Sequence, residues 1–197
     1  ASPNWMPVND LMGNLAVTSI VYDPSNTQVM YFGTGEGVYN ADAIRGLGIW
    51  KSTDGGATFT QLAATASNGN FQYINKIVVH PATGDVYAAT NGGLYRSQNG
   101  GTTWTEVLGA GNGCTVDFIA DVEIAADNSV FAGTGRVSSG ADGVYKSANG
   151  NAGTYTKQNT GANGFPTTGF ERVEIACAPS SAATIYALTQ ATAFTIG

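Results

Sequence analysis

The stretch Gly48-Ile49-Trp50-Lys51-Ser52-Thr53-Asp54-Gly55-Gly56-Ala57-Thr58-Phe59 returns twice along the chain. Residues 93–104 repeat it as Gly-Leu-Tyr-Arg-Ser-Gln-Asn-Gly-Gly-Thr-Thr-Trp, and residues 143–155 as Gly-Val-Tyr-Lys-Ser-Ala-Asn-Gly-Asn-Ala-Gly-Thr-Tyr. Each copy reads as a short strand, a hairpin turn and the start of a second strand. Asp54, Asn99 and Asn149 have short side chains that accept hydrogen bonds from backbone N–H groups just ahead of them, closing an Asx-type turn. The glycines that follow supply positive φ without steric cost. Ser52, Ser97 and Ser147 add a further bond, and Phe59, Trp104 and Tyr155 come where an aromatic ring can lie beneath the loop. This spacing describes a self-supporting hairpin rather than a reaction centre.

Upstream of each hairpin the chain repeats again. Anchored on Ile20, Ile77, Ile124 and Ile175, the segments 18–24, 75–81, 122–128 and 173–179 read as apolar strands ending in turn signals. A second run follows at 30–34, 86–90, 130–134 and 185–189, with an aromatic in second place: Tyr31, Tyr87, Phe131 and Tyr186. One unit is four strands in about 45 to 57 residues, the period of a propeller blade. Residues 4–8 match the fourth-strand stretches and 193–197 read as a third strand. The predicted organisation is a single β-propeller: 1–14 the outer strand of a neighbouring blade, 15–64, 65–110 and 111–160 three whole blades, and 161–197 an incomplete fourth. Either the strand at Trp5 to Val8 closes a four-bladed ring, or the chain is part of a larger propeller.

The pattern Ser-x-Asp-Gly-Gly-x-Thr-Trp resembles the Asp-box, the bacterial neuraminidase repeat found in sialidases, xyloglucanases and exported bacterial proteins. That resemblance implies an all-β propeller of four-stranded antiparallel blades. The boxes then sit at the turn between third and fourth strands, away from any active face. Box one matches almost fully, box two has Asn99 for Asp, and box three has Asn149 with a one-residue insertion. The box positions, all structural, are Ser52, Asp54, Gly55, Gly56, Phe59, Ser97, Asn99, Gly100, Gly101, Trp104, Ser147, Asn149, Gly150 and Tyr155.

With a formal net charge of −6 and eight Lys and Arg in 197 residues, the chain lacks the basic surface that phosphate binding needs, so no nucleic-acid partner is expected. No apolar run approaches the roughly 20 residues of a membrane span, so no membrane insertion is expected. Few lysines among abundant Thr, Asn, Gly and Ala, with the family resemblance, point to an exported protein, extracellular or on the cell surface. Cys114 and Cys177 read as two separate thiols or as one bridge between neighbouring blades. His80, the single histidine, precedes Pro81 and reads as a turn residue; one histidine makes neither a His-ligated zinc site nor a Ser-His-Asp triad.

Length variation is concentrated on the rim opposite the hairpins. Between second and third strands, blade two needs only Asn91-Gly92, whereas blade one spends residues 35–47 and blade three 135–142. Long loops on a rigid scaffold are where binding is built. Glu36 and Asp42 are the candidate catalytic pair, as general acid and base, or share a cation with Asn40. In the plainer alternative Arg45 pairs with one carboxylate and the other caps a turn. The predicted ligand-binding residues are Glu36, Tyr39, Asn40, Asp42, Arg45, Arg136, Asp142 and Arg172, with Asp117, Asp121 and Glu171 near the same face. Phe71, Tyr73, Phe118 and Phe170 lie in the inter-blade connections, where they either stack on sugars or plug the gaps. Glu123 and Glu174 occupy one place in consecutive first strands, where Lys76 stands in blade two, and Lys76 is expected to pair with Glu123. No cofactor or metal is expected; a bound calcium is compatible with the loop oxygens but not indicated by ligand spacing.

Three functional readings follow. One is a non-catalytic module that recognises glycan or protein through the loops opposite the Asp-boxes. Another is a glycoside hydrolase, xyloglucanase- or sialidase-like, or a piece of one. The third is a structural assembly component whose end faces are covered by another copy or by the remainder of the propeller. Sialidases of the resembling family use an arginine triad. Here Arg96 stands where Lys51 and Lys146 stand, which leaves Arg45, Arg136 and Arg172, and no Arg-Ile-Pro motif precedes the first box. Xyloglucanase-like enzymes place two catalytic Asp residues on two propellers, and this chain corresponds to part of one.

Overall fold

The computed structural model describes residues 5–8, 12–14, 16–37, 42–136 and 142–191. They form four sheets in chain order. The first holds β1 (Val17–Asp23), β2 (Asn26–Thr34), β3 (Ile49–Ser52) and β4 (Thr60–Gln61). The second holds β5 (Ile74–Val79), β6 (Val86–Thr90), β7 (Gly93–Ser97) and β8 (Thr105–Ala110), with β9 (Gly113–Cys114) added in parallel as an unexpected fifth strand. The third holds β10 (Ile119–Ile124), β11 (Val130–Thr134), β12 (Val144–Ser147) and β13 (Thr156–Lys157), and the fourth pairs β14 (Phe170–Cys177) with β15 (Ile185–Ala191). Apart from β9, all pairings are antiparallel between consecutive strands, so each sheet is a meander. First strands of successive sheets meet in order, β1 with β5, β5 with β10 and β10 with β14.

A β-bulge at the same place in every first strand fixes the true register. It falls between Val17 and Ser19, Ile74 and Lys76, Ile119 and Asp121, and Phe170 and Arg172. Counting from the bulge, Ile20 is equivalent to Ile77, Val122 and Val173, not to Ile124 and Ile175 as the sequence pattern predicts. Likewise Leu188, not Tyr186, stands where Tyr31, Tyr87 and Phe131 stand. Both errors are shifts of two residues. A shift of two keeps every side chain on its face, so alternation alone is blind to it. The stretch from Trp5 to Val8 pairs with nothing as a strand and is exposed, Trp5 to 89%. The expected strand at 193–197 lies outside the described residues.

The three Gly-rich turns close as their chemistry requires. Ser52 Oγ accepts from Gly56 N at 2.9 Å, while Asp54 Oδ1 accepts from Thr58 N at 2.9 Å and Asp54 Oδ2 from Thr58 Oγ1 at 2.6 Å. Ser97 and Asn99 repeat this with Gly101 N and Thr103 N. In the third turn Ser147 accepts from Gly150 N, and Asn149 Oδ1 accepts from Asn151 N and from Thr154 Oγ1. The one-residue insertion is therefore absorbed without losing the Thr partner. Beneath the turns, Phe59 packs 4.8 Å from Phe32 and Trp104 5.4 Å from Phe71.

The second and third turns are also contacts between sheets. Directly paired across β2 and β3, Tyr31 carries Lys51 over its ring at 5.4 Å; Tyr87 carries Arg96 at 5.6 Å and Phe131 carries Lys146 at 5.2 Å. Lys51 Nζ donates to Gly100 O of the second sheet's turn at 3.0 Å, and Arg96 Nη1 donates to Asn149 O of the third sheet's turn at 3.3 Å. A Cβ on Gly150 would stand 2.0 Å from the Tyr87 hydroxyl. Here glycine is needed for the approach of the neighbouring sheet as well as for its φ of +66°. Arg96 is further held by Asp85, which makes it structural, as its equivalence to Lys51 and Lys146 implies.

Two measurements test this turn chemistry. Gly84 also has positive φ (+72°) but nothing within 4 Å of its would-be Cβ, so Gly84→Ala should cost about 1–2 kcal/mol from backbone strain alone. Gly150→Ala should cost roughly 1–3 kcal/mol more from overpacking against Tyr87, read from urea midpoints. The Thr58 hydroxyl and amide, with Ser52, hold the Asp54 carboxyl down from 3.8 to about 2. A lowered folded value adds stability above pH 3.8 that is lost as pH falls toward 2. Asp54→Asn, which copies Asn99, should remove that acid-sensitive component between pH 4 and pH 2 while the other components persist.

Candidate functional site

The rim formed by the loops between second and third strands is built on a repeated threonine. Thr34, Thr90 and Thr134 are fully buried at the ends of β2, β6 and β11. Thr34 Oγ1 donates to Gly48 O and accepts from Leu47 N; Thr90 Oγ1 donates to Gly93 O and accepts from Gly92 N. Thr134 Oγ1 does the same with Gly143 O and with the amides of Asp142 and Gly143. One hydroxyl thus closes the base of each loop, whether the loop has two residues or thirteen.

The first loop is anchored on the second sheet, Gly46 N donating to Gln72 O at 2.7 Å and Asn91 Nδ2 to Gly37 O at 3.3 Å. Glu36 closes it: its amide donates to Ile44 O and its carboxylate accepts from Ile44 N at 3.1 Å. Asp42 and Arg45 are exposed. The ion pairs of the described residues do not include the expected one between Arg45 and a loop carboxylate. Tyr39 and Asn40 lie outside the described residues. Beside the loop runs an open groove of about 590 Å³ lined by Met12, Gly13, Asn14, Ala16, Glu36 and Ile44. Asn14 braces it, donating to Arg45 O and accepting from Ala16 N. The contribution of residues 12–16 carries no periodicity or motif in the sequence that marks it.

At the third loop Asp142 is a hub. Its Oδ2 accepts from Tyr145 OH at 2.6 Å and from Thr115 N and Oγ1 at 2.9 Å, and its Oδ1 from Lys157 Nζ at 2.6 Å. Burial works to raise its pKa, but the bonds from Lys157, Tyr145 and Thr115 outweigh it and hold the carboxyl well below the usual carboxylate range. Such a group stays ionised at neutral pH and cannot serve as a general acid. Arg136 lies over the Phe118 ring at 3.7 Å, and Asp117 accepts from Ala110 N. Of the aromatics weighed for sugar stacking, Phe71 and Phe170 are buried, Phe71 against Tyr95 and Trp104 and Phe170 against Phe165. They plug the gaps between sheets.

On the first strands the structure gathers a charged column away from that rim groove. Lys76 Nζ bridges Asp121 at 2.7 Å and Glu123 at 2.6 Å, so the expected pair with Glu123 forms and a second partner joins it. By register Lys76 is equivalent to Asp121, and Val78 occupies the place of Glu123. Asp121, fully buried, also accepts from Ile175 N of the fourth sheet at 2.8 Å. Arg172, predicted for the ligand face, pairs with Glu174 here. Burial first, then the Asp121 charge, pushes the Glu174 carboxyl up, with Arg172 opposing. Among the described residues no group of three or more His, Cys, Asp and Glu is arranged to hold a metal ion. Cys114 and Cys177 are free thiols, and burial pushes Cys177 up to about 11, so neither suits nucleophilic work. His80 is fixed within its turn, accepting at Nδ1 from Ala82 N and Thr83 N.

No helix among the described residues is long and apolar enough to cross a membrane. Two xyloglucanases are similar to the chain: one from a Paenibacillus species at 31% identity over 116 residues, and one from Hypocrea jecorina at 28% over 125. The matches take in 48% and 51% of this chain but only 10% and 14% of those proteins. Among solved structures, the GH74 enzyme of Niastella koreensis aligns with a TM-score of 0.60 at 23% identity, over 85% of this chain and 24% of that one. The GH74 xyloglucanase of Xanthomonas campestris aligns with a TM-score of 0.57 at 16% identity, over 88% of this chain and 35% of that one. These two likenesses speak to the fold. Successive four-stranded meanders meeting along their first strands are the architecture that the DUF6242 beta propeller domain model describes, and it matches residues 4–189: the chain belongs to that family.

Proposed function

We propose that this chain is a propeller portion of a xyloglucanase-like glycoside hydrolase, exported from the cell, and that its loop rim handles a branched β-glucan. The observation that carries this reading is the 31% identity to a xyloglucanase over about half of the chain. Within it, the four sheets are read as three blades and part of a fourth, and the three Gly-rich hairpins as Asp-box turns on the opposite rim. The groove beside Glu36 supports the assignment physically. It is open, it offers a carboxylate, an amide side chain and apolar patches, and it rests on a loop tied to two sheets. A hydroxyl-rich chain lying across a rim is bound by such mixed donors and acceptors. On this reading Asp42, exposed and close to Glu36 in the chain, shares the acid–base work with it, which departs from the resembling enzymes by placing both carboxylates on one loop.

One observation favours a second reading, a recognition module without hydrolysis. Glu36 and Asp142 already accept bonds that hold their own loops, which spends their acceptor capacity on structure. Incubation with xyloglucan, read by oligosaccharide release and by gel retardation, separates the two. Hydrolysis that falls at least about 100-fold in Asp42→Asn or Glu36→Gln supports the enzyme. Retardation without product, lost when residues 35–47 are replaced by Asn-Gly, supports the module. Neither cleavage nor retardation overturns both.

A further inference from the structure

The bulge in each first strand leaves one residue out of the ladder: Thr18, Asn75, Ala120 and Glu171. At the first two junctions between sheets, that side chain reaches the next first strand at the same place. Thr18 Oγ1 donates to Ile74 O, and Asn75 Nδ2 donates to Ile119 O at 2.8 Å. A threonine is thus enough to make the junction bond, and the longer amide of Asn75 does more. Its Nδ2 also donates to Asn91 Oδ1 at 3.1 Å, and Asn91 Nδ2 donates in turn to Gly37 O at 3.3 Å. The Asn75 amide lies against the same glycine: a Cβ on Gly37 would stand 1.7 Å from Asn75 Oδ1. Two amides therefore form a relay from the first strand of the third sheet to the residue that follows Glu36. The next bulge residue, Ala120, has no hydrogen-bonding side chain, and the loop of the sheet before it, Asn91-Gly92, is only two residues long.

We infer that Asn75 and Asn91 are positioning residues for Glu36: by fixing Gly37 they set where the Glu36 carboxylate stands on the groove. Inside the loop, Thr34 closes the base and Glu36 binds Ile44, which together fix the loop's shape. Neither bond fixes the angle of the loop to the second sheet. Gly46 N, donating to Gln72 O, holds one limb at that angle, and Asn91 holds the limb that carries Glu36. Asn rather than Thr at position 75 is explained by this second task, since the junction itself asks only for what Thr18 supplies. The inference rests on the hydrolase reading above, in which Glu36 works on the glucan.

Two substitutions cut the relay at different links. Asn75→Thr keeps the junction bond, as Thr18 does, and removes the reach to Asn91; Asn91→Asp keeps the acceptor for Asn75 and removes the donor to Gly37. Amide exchange by NMR and xyloglucan hydrolysis are the measurements. The amides of Glu36 and Gly46, which donate to Ile44 O and Gln72 O, should exchange about tenfold faster in each variant, with the melting temperature unchanged. A displaced carboxylate should lower kcat about 10- to 100-fold and KM much less. The double variant should lose no more than either single one, because both cut the same chain of bonds. Unchanged kcat in either single variant overturns the inference whatever the exchange does. Additive losses, or losses that follow a fall in melting temperature, overturn it in favour of a structural role. A parent chain that releases no oligosaccharide overturns the hydrolase reading and this role with it; that failure shows in the parent, whereas failure of the relay shows only in the variants.

Discussion

A hairpin turn from one sheet must seat on a cation held over an aromatic ring in the sheet before it, and most of the structure follows from making that possible. The turn has to offer a carbonyl to Lys51 or Arg96 and must have no Cβ where Tyr87 stands. Glycine meets the second demand, and the Asp or Asn with its Ser meets the first by holding the turn open without help from elsewhere. Because the cation and the ring are cross-strand partners, on β2 and β3 in the first sheet and on β6 and β7 in the second, the seat requires those strands to be paired beneath it. Sheet order, turn composition and the spacing of the repeat are therefore one constraint seen at three scales.

Chemistry is then divided between the two ends of each sheet. The hairpin end is committed to packing, and its ionisable groups are absorbed: Asp54 in its turn, Arg96 on Asp85. The first strands carry a charged column in which Lys76 bridges Asp121 and Glu123, so the junction there is polar as well as apolar. The remaining end carries the groove beside Glu36 and the longer loops, and there Glu36 and Asp142 are bonded into the loops that hold them. This division explains why similarity to xyloglucanases and an unremarkable set of carboxylates can coexist in one chain.

What could be read from the residues was whatever is local. The turns were legible because their bonds span four or five residues and positive φ leaves a mark in glycine. Sheet membership was legible because alternation of two survives in every strand. Register was not, since Ile124 and Val122 sit on the same face and only the bulge tells them apart. Lys76 with Asp121 lies 45 positions apart in sequence and across a junction, so no pattern announces it. Between stacking on a sugar and plugging a gap the residues alone did not decide for Phe71; the short 3-10 turn Gly69–Phe71 carries it inward onto Tyr95. The bonding of Asp142 was not legible because only Tyr145 among its donors is near in the chain; Thr115 and Lys157 stand 27 and 15 residues away.

The buried threonine at each loop base has an evolutionary corollary. Thr34, Thr90 and Thr134 satisfy the exposed ends of their strands from within the sheet, indifferent to what the intervening chain does. Insertions and deletions at that place leave the closing bond at the base of the loop intact, so the segment above it can vary in length. New specificities can be grafted there by lengthening one segment at a time, with the foldedness of the ancestor inherited intact.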